Sequence, residues 1–412
     1  MIRLGRWIPL AALLAAPPLA AQQPRPWASV AAQAIPVLTE SDAVPGGRSY
    51  GEARLVQPVV MLDAGAFGDR LLLFATADFE GLTMPNAELT PGAWGEGFID
   101  RRHPHTYAHE LMLVAPDFLA GVAGAPRLSL GVGKGFVPFG SDDPMSRPTE
   151  RFPVNHHLSQ ILERGQVYLG VHLGGASLAG ALFDGDEPQR ADQWPNLRRF
   201  GDSWSLRLTL RPAAGLEWQA SNAFVKSPEH REGSGVDSRK WSTSLRWERT
   251  VGGRPLYALA EWARTSEAGG AFVFHTLLLE SELRLGPHRP YLRFERTERP
   301  EEQRTLDPYR LVRPPIDNAL NGITRWTIWT AGYGADVAGG GRLHLRPFVE
   351  GSLIRIARVG GGVFNPDTFY GPGTHWSVTT GVRLGWGMMG HRMGRYEPMT
   401  GPGAPTMRMG AP

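Results

Sequence analysis

The stretch Gly97–Met112, GFIDRRHPHTYAHELM, gathers His103, His105 and His109 around the adjacent arginines Arg101 and Arg102 and the acids Asp100 and Glu110. A second imidazole pair, His156–His157, follows in SDDPMSRPTERFPVNHHLSQ. Imidazole suits zinc, copper and nickel, so His103, His105, His109, His156 and His157 could form a transition-metal site. With Asp100 and Arg101 the same residues could instead form a latch of ion pairs and hydrogen bonds. HPH has no fixed ligand spacing of the C-x-x-C or H-E-x-x-H kind, and the latch is the favoured reading.

A third group lies in the tail MMGHRMGRYEPMTGPGAPTMRMG, where Met388, Met389, Met393, Met399, Met407 and Met409 accompany His391. Thioethers select Cu(I), whereas the Gly- and Pro-rich composition reads as a disordered terminus over 388–412. Copper or zinc is the ion these groups could take; no cofactor is required. Catalysis has no comparable signal. There is no G-x-S-x-G in a strand–turn–helix setting, and Asp142, Asp143 and Glu150 merely share a loop with His156. The expectation is a protein that is not an enzyme.

The elements that must position these residues are strands. In WSLRLTL, Trp204, Leu206, Leu208 and Leu210 alternate with Ser205, Arg207 and Thr209. Trp241, Thr243, Leu245 and Trp247 likewise oppose Ser242, Ser244, Arg246 and Glu248. The same holds for Leu277, Leu279 and Leu283 against Thr276, Glu280, Glu282 and Arg284, and for Trp376, Val378, Val382, Leu384 and Trp386 against Ser377, Thr379 and Arg383. Period-two patterning puts one apolar and one charged face on each strand.

Short turns at Gly65–Gly68, Leu119–Ala125, Gly174–Gly175, Pro212–Gly215, Val251–Arg254, Gly286–Pro290 and Val337–Gly341 alternate with long polar loops. The loops are Thr83–Arg102, Phe139–Asn155, Gly185–Asp202, Lys226–Arg239, Ser266–Ala271, Arg299–Asn321 and Gly360–Gly373. A strand at Ala28–Thr39, followed by the loop Glu40–Gly51, brings the number to about sixteen. Closed membrane barrels need an even number and show this asymmetry of short periplasmic turns and long external loops. Trp204, Trp218, Trp241, Trp247, Trp262, Trp326, Trp329, Trp376 and Trp386 fall near strand ends, as interfacial girdles do. A soluble sandwich would also alternate, but it would not alternate its loop lengths. The expected fold is therefore an all-β, transmembrane antiparallel barrel spanning 22–387.

Met1–Ala21 carries Arg3 and Arg6, an apolar core and a small-residue cleavage site, the pattern of a secretory signal peptide. No later run approaches the roughly 20 apolar residues of a spanning helix. The chain has no cysteine, so disulfides and thiol chemistry are excluded. Its net charge of +3 is small and part of it lies in the leader, so nucleic acid is not an expected partner.

DRRHPHTYAHELM, GKGFVPFGSDDPMSRPTERFPVNHHLSQ, GALFDGDEP, DSWSLRLTLRP and NAFVKSPEH together resemble a family of poorly characterised bacterial outer-membrane barrel proteins. Its members carry Asp-Arg-x-His-Pro-His, Pro-x-x-His-His, Asp-Ser-Trp-Ser and Lys-Ser-Pro-Glu segments and often occur beside metal-handling genes. The matches here are Asp100, Arg101, His103, Pro104 and His105; Pro153, His156 and His157; Asp202–Ser205; and Lys226–Glu229. The resemblance implies a barrel in the bacterial outer membrane, with the lipid bilayer, lipopolysaccharide and the barrel-assembly machinery as partners. It supplies no ligand. The chain departs from the usual terminal aromatic by running on past Trp386.

Inside such a barrel the charged face surrounds the lumen. Arg207, Arg246, Glu280, Glu282, Arg342 and Arg346, with Asp142, Asp143 and Glu150 on an inward-folding loop, are the expected pore and constriction residues. Arg284, Arg293, Glu295, Glu350 and Arg383 extend the same lining, and the mixed signs indicate no strong ion preference. The expected function is a porin-like channel for small hydrophilic solutes or ions, with transition-metal binding or resistance as the alternative.

Overall fold

The computed structural model describes residues 26–44, 49–83, 99–100, 103–117, 126–151, 153–155, 158–161, 163–302, 320–337, 342–387 and 392–397. The expected leader, Met1–Ala21, lies outside them.

Sixteen antiparallel strands close into one barrel. They are β1 (Trp27–Ser41), β2 (Tyr50–Ala66), β3 (Leu71–Asp78), β4 (Ala108–Ala115), β5 (Arg127–Gly135), β6 (Arg164–Leu173), β7 (Ala176–Phe183) and β8 (Ser203–Ala213). Then come β9 (Leu216–Val225), β10 (Ser238–Val251), β11 (Arg254–Glu267), β12 (Phe272–Leu283), β13 (His288–Glu302), β14 (Leu320–Ala335), β15 (Leu343–Gly362) and β16 (Thr374–Trp386). Each strand pairs with its neighbours in sequence, and β1 closes the ring on β16, from Ala32 opposite Trp386 to Ser41 opposite Ser377. The strand expected at Ala28–Thr39 is thus the one that removes the free edge. A two-residue ladder of Ile99–Asp100 with His103–Pro104 lies in the β3–β4 connection. No helix among the described residues is long and apolar enough to cross a membrane.

The side chains are inverted relative to a water-soluble protein. On β8, Leu206 is 47% exposed and Arg207 only 1%. The same alternation on β10, β12 and β16 exposes Trp241, Leu245, Leu277, Leu279 and Val378 and buries Ser242, Ser244, Arg246, Glu280, Ser377, Thr379 and Arg383. Trp204, Trp241, Trp247, Trp262, Trp329 and Trp386 face outward as expected. Trp326 does not: it is fully buried inside, donating to Thr324 Oγ1 at 3.0 Å and packing edge-on against Tyr370. Its register places it on the same face as Thr324, Ile328 and Thr330, so its parity, rather than its position near a strand end, decides which side it takes.

Short turns and longer connections alternate along the chain except between β11 and β12, where the expected long loop is reduced to residues 268–271 because both strands extend into it, and both ends of the strand ring lie on the short-turn side. A bulge sets Ala34 of β1 against Gln57 and Pro58 of β2, and Gln57 takes a left-handed φ of 50°. Bulges re-aim a chain and store strain where neighbouring structure holds it. Here the bulge presents the Gln57 amide to Glu80 of α1 (Glu80–Thr83) at 2.7 Å, and the Pro58 carbonyl accepts from the Phe79 amide at 3.0 Å.

Candidate functional site

The connection 136–163 between β5 and β6 turns into the barrel. Gly140 begins it with a φ of 71° and donates its amide to Ser221 Oγ of β9 at 3.0 Å. Any Cβ there would collide with the Ser159 carbonyl on the returning arm, so glycine is what lets the two arms approach. Asp143 caps the single helical turn Pro144–Ser146, accepting from the Met145 amide at 2.7 Å. From this turn the loop reaches the far wall. Arg147 meets Glu261 of β11 at 3.2 Å, and Thr149 donates to Glu280 of β12 at 3.0 Å. The Val154 amide donates to Glu295 of β13 at 2.6 Å, and Arg151 pairs with Glu350 of β15. Arg383 of β16 donates to the Thr149 carbonyl at 2.6 Å.

The segment Arg392–Glu397, in the stretch read from composition as disordered, also lies in the lumen. Arg392 contacts Asp142 of the loop and Glu217 of β9, both at 3.1 Å. Arg395 reaches Glu217 at 3.0 Å, and Glu397 sits 3.5 Å from Arg207. Tyr396 donates to Glu110 at 2.7 Å. Met393 is completely buried with Ile35, Val56, Phe136, Met145 and Phe348. Its thioether therefore works as apolar filling, and burial of one such side chain stabilises by about 1.5–3 kcal/mol. Burial alone would raise the carboxyl of Glu397, but the guanidinium groups of Arg207, Arg395 and Arg211 outweigh it and hold the group down to about 2. Arg246, Arg392, Arg147 and Arg395 likewise keep Asp142 well below the usual carboxylate range against its burial.

A second cluster forms where β3, β4 and β6 meet the long connections. Asp78 ends β3, Glu80 begins α1, His105 lies in the connection just before β4, His109 lies at the start of β4, and Glu163 precedes β6. All five are buried. Nδ1 of His105 lies 3.4 Å from Asp78 Oδ2 and 3.2 Å from Glu80 Oε2; Nδ1 of His109 lies 3.4 Å from Glu163 Oε1 and 3.9 Å from Asp78 Oδ2. The other side of each carboxylate is anchored. Asp78 Oδ1 accepts from the Glu80 amide at 2.8 Å, Glu80 Oε1 from the Gln57 amide at 2.7 Å, and Glu163 Oε1 from the Thr106 amide at 3.0 Å. Burial and the neighbouring Asp78 push the Glu80 carboxyl up to about 7. Burial works against protonation of His105, but Asp78, Glu80 and Glu163 overcome it and raise the imidazole.

Of the residues singled out by sequence, Arg207, Arg246, Glu280, Glu282, Asp142, Asp143 and Glu150 all lie inside the barrel, yet they are paired rather than open to a water-filled passage. Arg246 meets Asp142 at 2.5 Å, Glu280 meets Arg293 at 3.0 Å, Glu282 meets Arg289 at 3.3 Å and Glu150 meets Arg383 at 3.5 Å. Arg346 is half-buried and pairs with Asp336 at 2.8 Å. Arg342 departs from the expectation: it stands one residue before β15 begins and is exposed at the short-turn rim, 5.5 Å from the centre of the Trp386 ring. His105 and His109 come together as expected for either a latch or a metal site. Arg101, His156, His157, Met388, Met389 and His391 lie outside the described residues, as do the side chains of Asp100 and His103. Sequence reading missed Asp78, Glu80 and Glu163, and also Arg392, Arg395 and Glu397. The signal for Asp78 and Glu80 was DFE at a strand end, Glu163 had none, and for the second group it was three charges packed into RMGRYE.

No protein-family model matches the sequence, and no curated protein matches it. Solved structures do. An anion-selective porin from Comamonas acidovorans is similar at 10% identity, with a TM-score of 0.50 over 88% of this chain and 100% of that one. OprB of Pseudomonas putida, in a high-pH structure, is similar at 9% identity with a TM-score of 0.50, over 87% of this chain and 94% of that one. At such identity the likeness shows the fold, a closed all-β barrel with porin neighbours.

Proposed function

We propose that this chain is a porin-like channel of the bacterial outer membrane, passing small hydrophilic solutes or ions, and that it rests in a closed state. The observation that carries the reading is the inversion of every strand pattern described above. An apolar outer belt on a closed sheet has its free-energy minimum in hydrocarbon, where a ring without edges leaves no backbone group unsatisfied. The polar lining supplies the other half, since sixteen strands enclose a lumen wider than their own side chains can fill. Loop 136–163 and segment 392–397 occupy that space, and both are held by ion pairs rather than by the ladder. They can leave without breaking a strand–strand hydrogen bond.

Export through the leader at Met1–Ala21, insertion by the barrel-assembly machinery and a setting of lipopolysaccharide belong to the same proposal. The porin resemblance in fold supports it; the Comamonas acidovorans neighbour is an anion-selective porin, whereas the mixed lining here favours neither sign. Planar-bilayer recordings of the purified full chain, and of a chain ending at Gly387, are the test. Rare, small current steps are expected from the full chain and larger, sustained ones from the shortened chain. No current from either would overturn the channel reading.

A further inference from the structure

The buried cluster at the long-connection end of β3, β4 and β6 is not needed to close the barrel or to fill it. Asp78 Oδ2, Glu80 Oε2, Glu163 Oε2 and both ring nitrogens of His109 are buried without a hydrogen bond. Buried polar atoms of this kind are normally satisfied, and each exception asks for an explanation. The usual explanation for a strained loop does not serve, because each of the three carboxylates is fixed through one oxygen to a backbone amide.

One oxygen anchored and one presented is how ligating carboxylates are held. The spacing agrees. Ligand atoms of Asp78, His105 and His109 all lie within 4.8 Å of one another, with Asp78 Oδ2 3.4 Å from His105 Nδ1 and 3.9 Å from His109 Nδ1, and Glu80 Oε2 lies 3.2 Å from His105 Nδ1. Four ligands about 2.0–2.2 Å from a central ion stand roughly 3.3–3.6 Å apart. Asp78, His105 and His109 thus approach one another at the distances expected of ligand atoms that converge on a common point. The strained Gln57 bulge, which aims its amide at Glu80, becomes intelligible as part of the same construction.

We propose that Asp78, His105 and His109 bind a divalent transition-metal ion of the zinc class, with Glu80 as the fourth ligand and Glu163 packed beside the His109 ring. Two imidazoles and carboxylates suit such ions and disfavour calcium or magnesium, which prefer oxygen alone. The site fastens α1 and the Glu163 end of the inward loop to β3 and β4. It stands independently of conduction.

The test uses untagged full-length protein, folded in detergent, stripped with chelator and titrated with Zn2+, and with Co2+ for its visible spectrum. One tight equivalent is expected, with four-coordinate Co2+ absorption and a higher melting midpoint. D78N and H109Q are each expected to weaken zinc binding at least a hundredfold while retaining a heat-modifiable barrel. The triple variant H103A/H156A/H157A is expected to bind as the parent does. Only weak, multiple-site binding by the parent, parental affinity in D78N and H109Q, or loss in the triple variant would each overturn the site. If D78N and H109Q do not fold, X-ray absorption of the zinc-loaded parent decides: imidazole scattering supports the assignment, and its absence overturns it.

Discussion

Arg392 and Asp142 stand 250 positions apart in the chain, and their side chains meet at 3.1 Å within the barrel. The same guanidinium touches Glu217 on the wall at 3.1 Å, so one cation joins tail, loop and sheet. R392A removes it and leaves two carboxylates facing each other. Breaking a buried pair on one side costs about 3–5 kcal/mol. Asp142 keeps Arg246 and Glu217 keeps Arg395, which puts the expected loss at the lower end of that range. Cleavage after Glu397 by a glutamate-specific protease is expected to accelerate at least tenfold in R392A with the barrel intact. Parental cleavage rates would show that the segment is held by something else.

Acid tests the same anchor. Glu397 is held down to about 2 and Asp142 well below the usual carboxylate range. Groups with depressed values contribute stability that is complete above their unfolded values and disappears as pH falls through the folded ones. The segment should therefore remain docked at pH 5 and come free only between about pH 4 and pH 2. Bilayer conductance that rises already between pH 7 and pH 5 would contradict this assignment.

Arg147 and Glu261 form a pair at 3.2 Å whose side chains are 1% and 0% exposed. R147L is expected to destabilise the folded protein by about 3–5 kcal/mol, because Glu261 keeps Ser141 but loses its cation. Replacing both by leucine restores a matched apolar contact and is expected to cost far less. Urea unfolding of the two single variants and the double variant reads the coupling directly. Additive losses would mean that the loop does not depend on this pair.

How far these relationships could be read from sequence follows from their range. β8, β10, β12 and β16 announce themselves because Leu206 and Arg207, or Trp241 and Ser242, alternate within a single strand, and the parity of each residue fixes its side. The alternation of Gly174–Gly175 with Gly185–Asp202, and so on around the ring, fixes which end carries the loops. The tail gave no such signal. Its Gly, Pro and Met content describes an unfolded chain in isolation, whereas its actual partners, Glu217, Arg207 and Asp142, lie on other elements. The histidine cluster was half legible: His105 and His109 are near neighbours in the chain, although only His109 lies on a strand, and Asp78 and Glu163 join them only because β3 and β6 flank β4 and β5 in the ring. Trp326 went astray because nearness to a strand end was weighed above parity, and Arg342 because it precedes β15 at the rim, where parity no longer decides.

The outer face offers the most direct test of the whole arrangement. Leu206 lies mid-strand on β8, 47% exposed, directly opposite Gly180 of β7 and Asn222 of β9 in the ladder. In a soluble sheet an exposed leucine exchanged for arginine would cost almost nothing and would improve solubility. On a lipid-facing belt the same exchange places a cation in hydrocarbon at about 2–4 kcal/mol near the midplane. L206R is therefore expected to fold into liposomes with lower yield and to unfold about 2–4 kcal/mol more easily than the parent. A change at the exposed Arg254, the first residue of β11 at the rim, should stay within about 0.5 kcal/mol. Equal stability of L206R and the parent in liposomes would place the apolar face in water, and the ion-paired interior would then have to be read as the core of a soluble protein.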